Sequence, residues 1–209
     1  MTFFDYMFLV VLFVAHAILT IGLFHLYYEQ KKLRDKLPLE QKTKKSVKIL
    51  SVVAGHDLDT QEIEKALYST DINYNLLPFN VVSQESLLLE LGKKVTVFEL
   101  SSHGLNGQFR LGNEVIPVSW LAGALKNCAD LECVLLLYCN SYLDLDTLKQ
   151  TDRFVIGLVG DVTDSSCITF ARHFYYYLSR KYTYFEAFEA SRLHLPVADF
   201  GKFIHGTLQ

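Results

Sequence analysis

Two kinds of hydrophobic patterning divide the chain. Residues 6–28 form an unbroken apolar run of 23 residues without Asp, Glu, Lys or Arg. From Val47 onward, short apolar stretches alternate with amphipathic ones. Continuous runs of β-branched residues and leucines, bounded by glycine, proline or small polar residues, predict buried strands. They fall at residues 47–54, 74–78, 95–100, 134–138 and 154–158. The intervening spacing predicts helices. The first starts at an N-cap on Asp59, with Glu62 three residues on, and runs to about residue 69. Others cover 83–91 (stopped by Gly92), 120–126, 143–150, 164–180 and 183–195. The last opens with Thr183 and Glu186 in capping-box spacing, and Asp164 is read as the N-cap of the helix before it. Residues 108–111 and 114–116 flank Gly112-Asn113 as a hairpin. Residues 196–209 fit either an edge strand or a tail. Strands alternating with helices predict an α/β domain over residues 47–209, with a mostly parallel sheet covered by helices on both faces.

The first run has its own physical logic. Its length matches the roughly 20 residues needed to cross a bilayer core, and Tyr6, Tyr27 and Tyr28 sit at its ends, where aromatic rings favour the interface. A cleaved signal peptide would carry a basic leader and a small-residue cleavage site. Here only Asp5 precedes the run within its acidic and basic residues, and Glu29-Gln-Lys-Lys-Leu-Arg-Asp-Lys36 follows it. The expectation is a retained transmembrane helix in residues 1–28, a basic juxtamembrane linker in 29–46, and the domain beyond. Lys31, Lys32, Arg34 and Lys36 place the linker on the cytoplasmic side and the N-terminus outside. The expected location is therefore the inner (cytoplasmic) membrane, crossed once.

Charge sharpens this division. Residues 29–45 hold seven basic and three acidic residues, a composition suited to anionic lipid. From Ser46 onward, 13 basic residues face 19 acidic ones, so the domain has no basic surplus for nucleic acid. Cys128, Cys133, Cys139 and Cys167 form no C-x-x-C pair, which fits reduced thiols in the cytosol.

The candidate chemistry lies at two strand ends. The run through Val95 ends in Ser102-His103-Gly104, and the run through Val134 ends in Tyr138-Cys139-Asn140-Ser141. Neighbouring parallel strands would deliver the imidazole and the thiol to one sheet edge, where open α/β sheets place their sites. Cys139 is then the nucleophile and His103 the proton shuttle. The backbone N–H groups of Gly104 and Cys139 are candidates to hold an oxyanion. His56, Asp161, Asp164 and Asp144 are candidates to line a substrate pocket on the same edge. His56, His103 and Cys139 lack a fourth metal ligand at suitable spacing, so neither metal nor cofactor is expected. The single glycine after the first strand, Gly55, argues against a dinucleotide site.

These residues resemble the caspase-like CHAT cysteine peptidases of clan CD. The likeness runs through Ser102-His103-Gly104, the strand ending in Cys139, and Val155-Ile156-Gly157 followed by Asp161 and Asp164. It continues in Phe170-Ala171…Phe174-Tyr175…Leu178 and in Glu186-Ala187-Phe188…Arg192. It covers roughly residues 47–195. The resemblance implies a caspase-hemoglobinase fold with a Cys–His dyad at Cys139 and His103. It also implies a protein or peptide substrate, activation by a sensor or partner protein or by oligomerisation, and a role in prokaryotic defence or programmed death. Where many relatives read A-C-x-S-G, this chain has Tyr138-Cys139-Asn140-Ser141-Tyr142, without the glycine. A catalytically inactive adaptor that binds a partner at the membrane is the alternative.

Overall fold

Each apolar run from Val47 onward closes into a strand, and each amphipathic stretch between them coils. The computed structural model describes residues 46–55, 60–68, 70, 72–104, 107–149 and 153–206. The transmembrane and linker expectations, at residues 1–45, lie outside the described residues. So do His56 and the Asp59 cap. Among the described residues, no helix is long and apolar enough to cross a membrane.

The elements run β1 (Lys48–Val53), α1 (Thr60–Tyr68), β2 (Asn73–Leu77), α2 (Gln84–Leu91) and β3 (Val97–Ser101). The hairpin β4 (Gln108–Leu111) and β5 (Glu114–Pro117) leads into α3 (Val118–Lys126) and β6 (Cys133–Leu137). A 3-10 turn (Ser141–Asp144) precedes α4 (Leu145–Lys149) and β7 (Phe154–Leu158). The chain then forms α5 (Asp164–Ser179), α6 (Tyr184–Arg192), α7 (Val197–Phe200) and β8 (Phe203–Gly206).

Six strands pair in the order β2-β1-β3-β6-β7-β8. All neighbours are parallel except β7 and β8, which pair antiparallel. The α/β class with a mostly parallel sheet therefore stands as the sequence predicts. Within the stretch expected to be an edge strand or a tail, the described residues up to Gly206 form a one-turn helix (Val197–Phe200) and an antiparallel edge strand (Phe203–Gly206).

Side chains alternate across the pleat and divide the core into two layers. Leu50, Phe98, Leu100, Val134 and Leu136 pack with α2, α3, α4 and the β4–β5 hairpin. Ile49, Val97, Leu135 and Ile156 pack with α1, α5 and α6, where Phe170, Phe174 and Phe188 fill the layer. Both faces are covered, which is why the central strands are apolar almost without interruption.

Local chemistry sets the helix starts. Ser83 caps α2 and Thr183 caps α6, each in a reciprocal capping box. One expectation is corrected at α5, where Thr163 rather than Asp164 is the N-cap. Thr163 is extended (φ −73°, ψ 149°), and its hydroxyl oxygen accepts from the Ser166 N–H. Asp164 becomes the first helical residue, where its charge complements the helix dipole. The helix expected over residues 143–150 instead begins as the 3-10 turn at Ser141, because Asn140 reverses the chain just after Cys139.

Candidate active site

The two strand ends meet at the centre of the sheet. β3 and β6 are hydrogen-bonded neighbours whose last paired residues are Ser101 and Leu137. His103 and Cys139 follow two residues later on each strand, and the Ser102 N–H still reaches the Leu137 carbonyl at 3.5 Å. His103 is exposed and Cys139 is half-buried. The strands' parallel register brings the two residues to the same edge, as the sequence predicts for neighbouring strands.

Gly104 makes the approach physically possible. A Cβ at this position would stand 2.3 Å from the Cys139 carbonyl oxygen and 2.7 Å from Tyr138 Cδ2. No residue with a side chain fits there without moving backbone. The segment is pinned from the other side by the hairpin: Arg110 N–H donates to the His103 carbonyl at 3.3 Å, within the bridge between Gly104 and Phe109. That pattern leaves the Gly104 N–H out of the bridge. Among the described residues, neither the Gly104 N–H nor the Cys139 N–H donates to a protein acceptor. Among the described residues, two amides at these strand ends are therefore uncommitted.

The loop after Cys139 is held by a small polar lattice. Asn140 adopts the left-handed conformation (φ 61°), which Asn tolerates better than most residues. Its N–H donates to the Gly160 carbonyl at 3.2 Å, and the Gly160 N–H donates to Asn140 Oδ1 at 3.1 Å. Buried Ser141 donates from Oγ to the Leu136 carbonyl at 2.8 Å and accepts from the Leu158 N–H at 2.8 Å. Gly157 allows this closeness, since a Cβ there would lie 3.2 Å from the Ser141 carbonyl. The turn is thus made at Asn140. Tyr142, at the position where the resemblance has glycine, does not carry a positive φ.

A narrow cleft lies on the α5 side of these strand ends, with a volume of about 20 Å³, room for about one water. Ile63, Glu99, Ser101, Leu137, Asp164 and Cys167 line it. Glu99 is fully buried in the middle of β3 and accepts hydrogen bonds from the Ser101 hydroxyl at 3.0 Å and from the Tyr175 hydroxyl. Burial raises its carboxyl to about 7, and the Ser101 hydrogen bond opposes the rise. The other three thiols are likewise raised by burial, Cys133 most completely, while Asp164 and Cys139 add to the rise at Cys167. A buried thiol held protonated is a poor nucleophile.

The pocket candidates separate. Asp164 lines the cleft. Asp161 is exposed in the β7–α5 loop, and its carbonyl accepts from Lys202 Nζ at 2.6 Å. Asp144 is buried, and Tyr138 donates to its Oδ2 at 2.8 Å, so its carboxylate braces the loop. Sequence reasoning missed Glu99 and Cys167 as cleft residues. The signal for Glu99 was present: one acid inside an otherwise apolar strand is a buried charge that needs partners.

Compared with known proteins, the chain matches no model of a protein family and no characterised protein.

Proposed function

We propose that the chain is a membrane-anchored cysteine endopeptidase of the caspase-like CHAT type. The observation that carries this reading is the juxtaposition of His103-Gly104 and Cys139 at the ends of adjacent central strands, with both amides uncommitted. A parallel sheet bearing the pair in this order is what the resemblance implies. The loop geometry adds support, because the Gly-to-Tyr142 departure falls where glycine is not required.

In this reading Cys139 Sγ attacks the scissile carbonyl carbon while its proton resides on His103. The Gly104 and Cys139 N–H groups stabilise the oxyanion. His103 then protonates the leaving amine, and the C–N bond breaks to give an acyl-enzyme. A water, deprotonated by His103, hydrolyses the thioester and restores the thiol. The resemblance extends this to an effector of prokaryotic defence or programmed death, tethered through residues 6–28 and switched on by a partner or by association.

A peptidyl electrophile directed at thiols tests the assignment. Adduct formation at Cys139, lost in His103→Ala and retained in Cys167→Ser, is the expected result. No adduct at Cys139 with the chain clustered in membranes would overturn the peptidase in favour of the adaptor.

A further inference from the structure

A second cleft opens at the other edge of the sheet, where strands begin and helices end. It holds about 430 Å³, against about 20 Å³ for the cleft lined by Glu99 and Cys167. Its walls come from Ser46 and Val47 before β1, from Thr70, Ile72 and Asn73 at the start of β2, and from the last turn of α5. Tyr176 comes from that last turn, and Arg180 and Lys181 follow the helix end.

Among the described residues, the chemistry of this cleft runs against the rest of the domain; Asp71, between Thr70 and Ile72 in the chain, lies outside them. From Ser46 onward, acidic residues outnumber basic ones by 19 to 13. Yet the described lining residues include two cations and no acid. Both cations are exposed, and neither has an ion-pair partner among the described residues. The Arg180 guanidinium is set over the Tyr176 ring, 5.3 Å from its centroid, which holds it at the rim. Lys181 follows in the left-handed conformation (φ 70°) that ends the helix. Asn73 and Ser46 add neutral donors. Lys48, Lys93, Lys94 and Lys126 stand on the same edge, with Glu90, Asp130 and Glu132 as the opposing acids; Glu90 pairs with Lys93 at 2.6 Å. The carbonyl end of α5 disfavours an anion by about half a charge. Two full cations outweigh it.

The path of the chain selects among anions. Ser46 continues directly from the stretch with seven basic residues, and 17 residues separate the apolar run from this edge. Extended, such a segment reaches at most about 60 Å, so the edge stays within reach of a membrane surface. We propose that this cleft binds the headgroup of an anionic phospholipid. Arg180 and Lys181 pair with its phosphate, and Asn73 and Ser46 donate to its oxygens. The inference rests on the reading of residues 6–28 as a membrane anchor. It adds a second, headgroup-specific attachment made by the domain itself.

The full chain is reconstituted into vesicles of phosphatidylcholine alone or with phosphatidylserine, each carrying a trace of the matching headgroup-photoreactive lipid. Adducts are mapped by peptide mass spectrometry. The expected result is a phosphatidylserine adduct on the peptide spanning Tyr176 to Lys181. Each cation near an anionic surface contributes about fivefold in affinity. Arg180→Gln should therefore lower adduct yield about fivefold, and Arg180→Gln with Lys181→Gly roughly 25-fold. Glycine accepts the positive φ, and an unchanged melting temperature shows that the fold is intact. Equal adducts in both vesicle types, or yields unchanged by either variant, would overturn the proposal. So would loss of the adduct on adding inorganic phosphate, which would assign the cleft to a soluble anion. Alkaline washing before irradiation judges the anchor separately: a chain released from the vesicles sinks that reading, while the lipid dependence of the adduct judges the cleft.

Discussion

Glu99 is a buried carboxyl whose neutral form suits the fold better than its charge. Burial raises it from 4.5 to about 7, because the apolar layer beneath α5 solvates an anion poorly. The folded state then binds a proton more tightly than the unfolded chain does. Its stabilising contribution is present below about pH 4.5 and is lost as the pH rises through about 7, a swing of roughly 3 kcal/mol. Glu99→Gln keeps an acceptor for Ser101 and Tyr175 but cannot ionise. Denaturant melts of this variant between pH 5 and pH 8 should show the alkaline loss abolished, and a slope equal to that of the unmodified chain would refute the assignment. Gly104 presents the complementary case, a residue defined by what it lacks. In Gly104→Ala the new Cβ meets the Cys139 carbonyl at 2.3 Å, so one strand end must move. The two amides then part. Loss of one oxyanion donor lowers turnover by about 10²–10³-fold in acyl transfer. If the chain is the proposed peptidase, an assay should show at least a tenfold fall in turnover for Gly104→Ala, with the melting temperature reporting any general loss of fold.

Helix α5 couples these residue effects, since it carries both Tyr175, which donates to Glu99, and His173, which stacks on His194. The two imidazole rings lie parallel with centroids 3.6 Å apart, and Tyr177 Oη is 2.9 Å from His194 Nε2. Burial foremost, then the neighbouring His194 and Arg172, lower His173 from 6.5 to about 4. Here the unfolded chain binds the proton more tightly. The contribution is intact above pH 6.5 and is lost as the pH falls through about 4, opposite in sign to that of Glu99. The two slopes oppose each other between about pH 4.5 and 6.5. His173→Phe keeps a stacking ring without the charge and should steepen the net loss of stability with rising pH in that window. An unchanged profile in thermal melts would show that His173 does not titrate as argued. The same helix shows what the sequence can and cannot express. The existence of α5 follows from its apolar spacing, and the capping box of α6 is legible because Thr183 and Glu186 are three residues apart. Local chemistry writes such features into adjacent positions. The Tyr175–Glu99 pair, 76 residues apart, has no local trace. Likewise, the sequence predicts a helix only from residue 143 and not the turn at Ser141, because the ties of Ser141 to Leu136 and Leu158 exist only once β6 and β7 have paired. His103 and Cys139 were legible because each ends an apolar run. Their adjacency needed only the expectation that the two strands are neighbours.

At the scale of the whole molecule, the strand order decides which surfaces remain for partners. The candidate site occupies the central pair, β3 and β6, while β2 and β8 form the two edges. An edge strand presents unpaired backbone groups and is a template for pairing. A partner on either edge would therefore leave the central strand ends uncovered. The cationic cleft lies at the strands' starts and the candidate catalytic residues at their ends, separated by strands of five or six residues, roughly 17–20 Å. The proposed attachment and the proposed chemistry would thus not compete for one surface. If the proposed anchor confines the chain to two dimensions, it raises the effective concentration of neighbours without any new contact. Association then becomes a physical route to activation. If the chain is the proposed peptidase, full chain reconstituted at increasing protein-to-lipid ratio should show a rising cleavage rate per molecule, and dilution with empty vesicles after reconstitution should not reverse it, because surface density is unchanged. A rate per molecule that is flat across protein-to-lipid ratios would exclude activation by clustering and leave a separate activating partner as the remaining route.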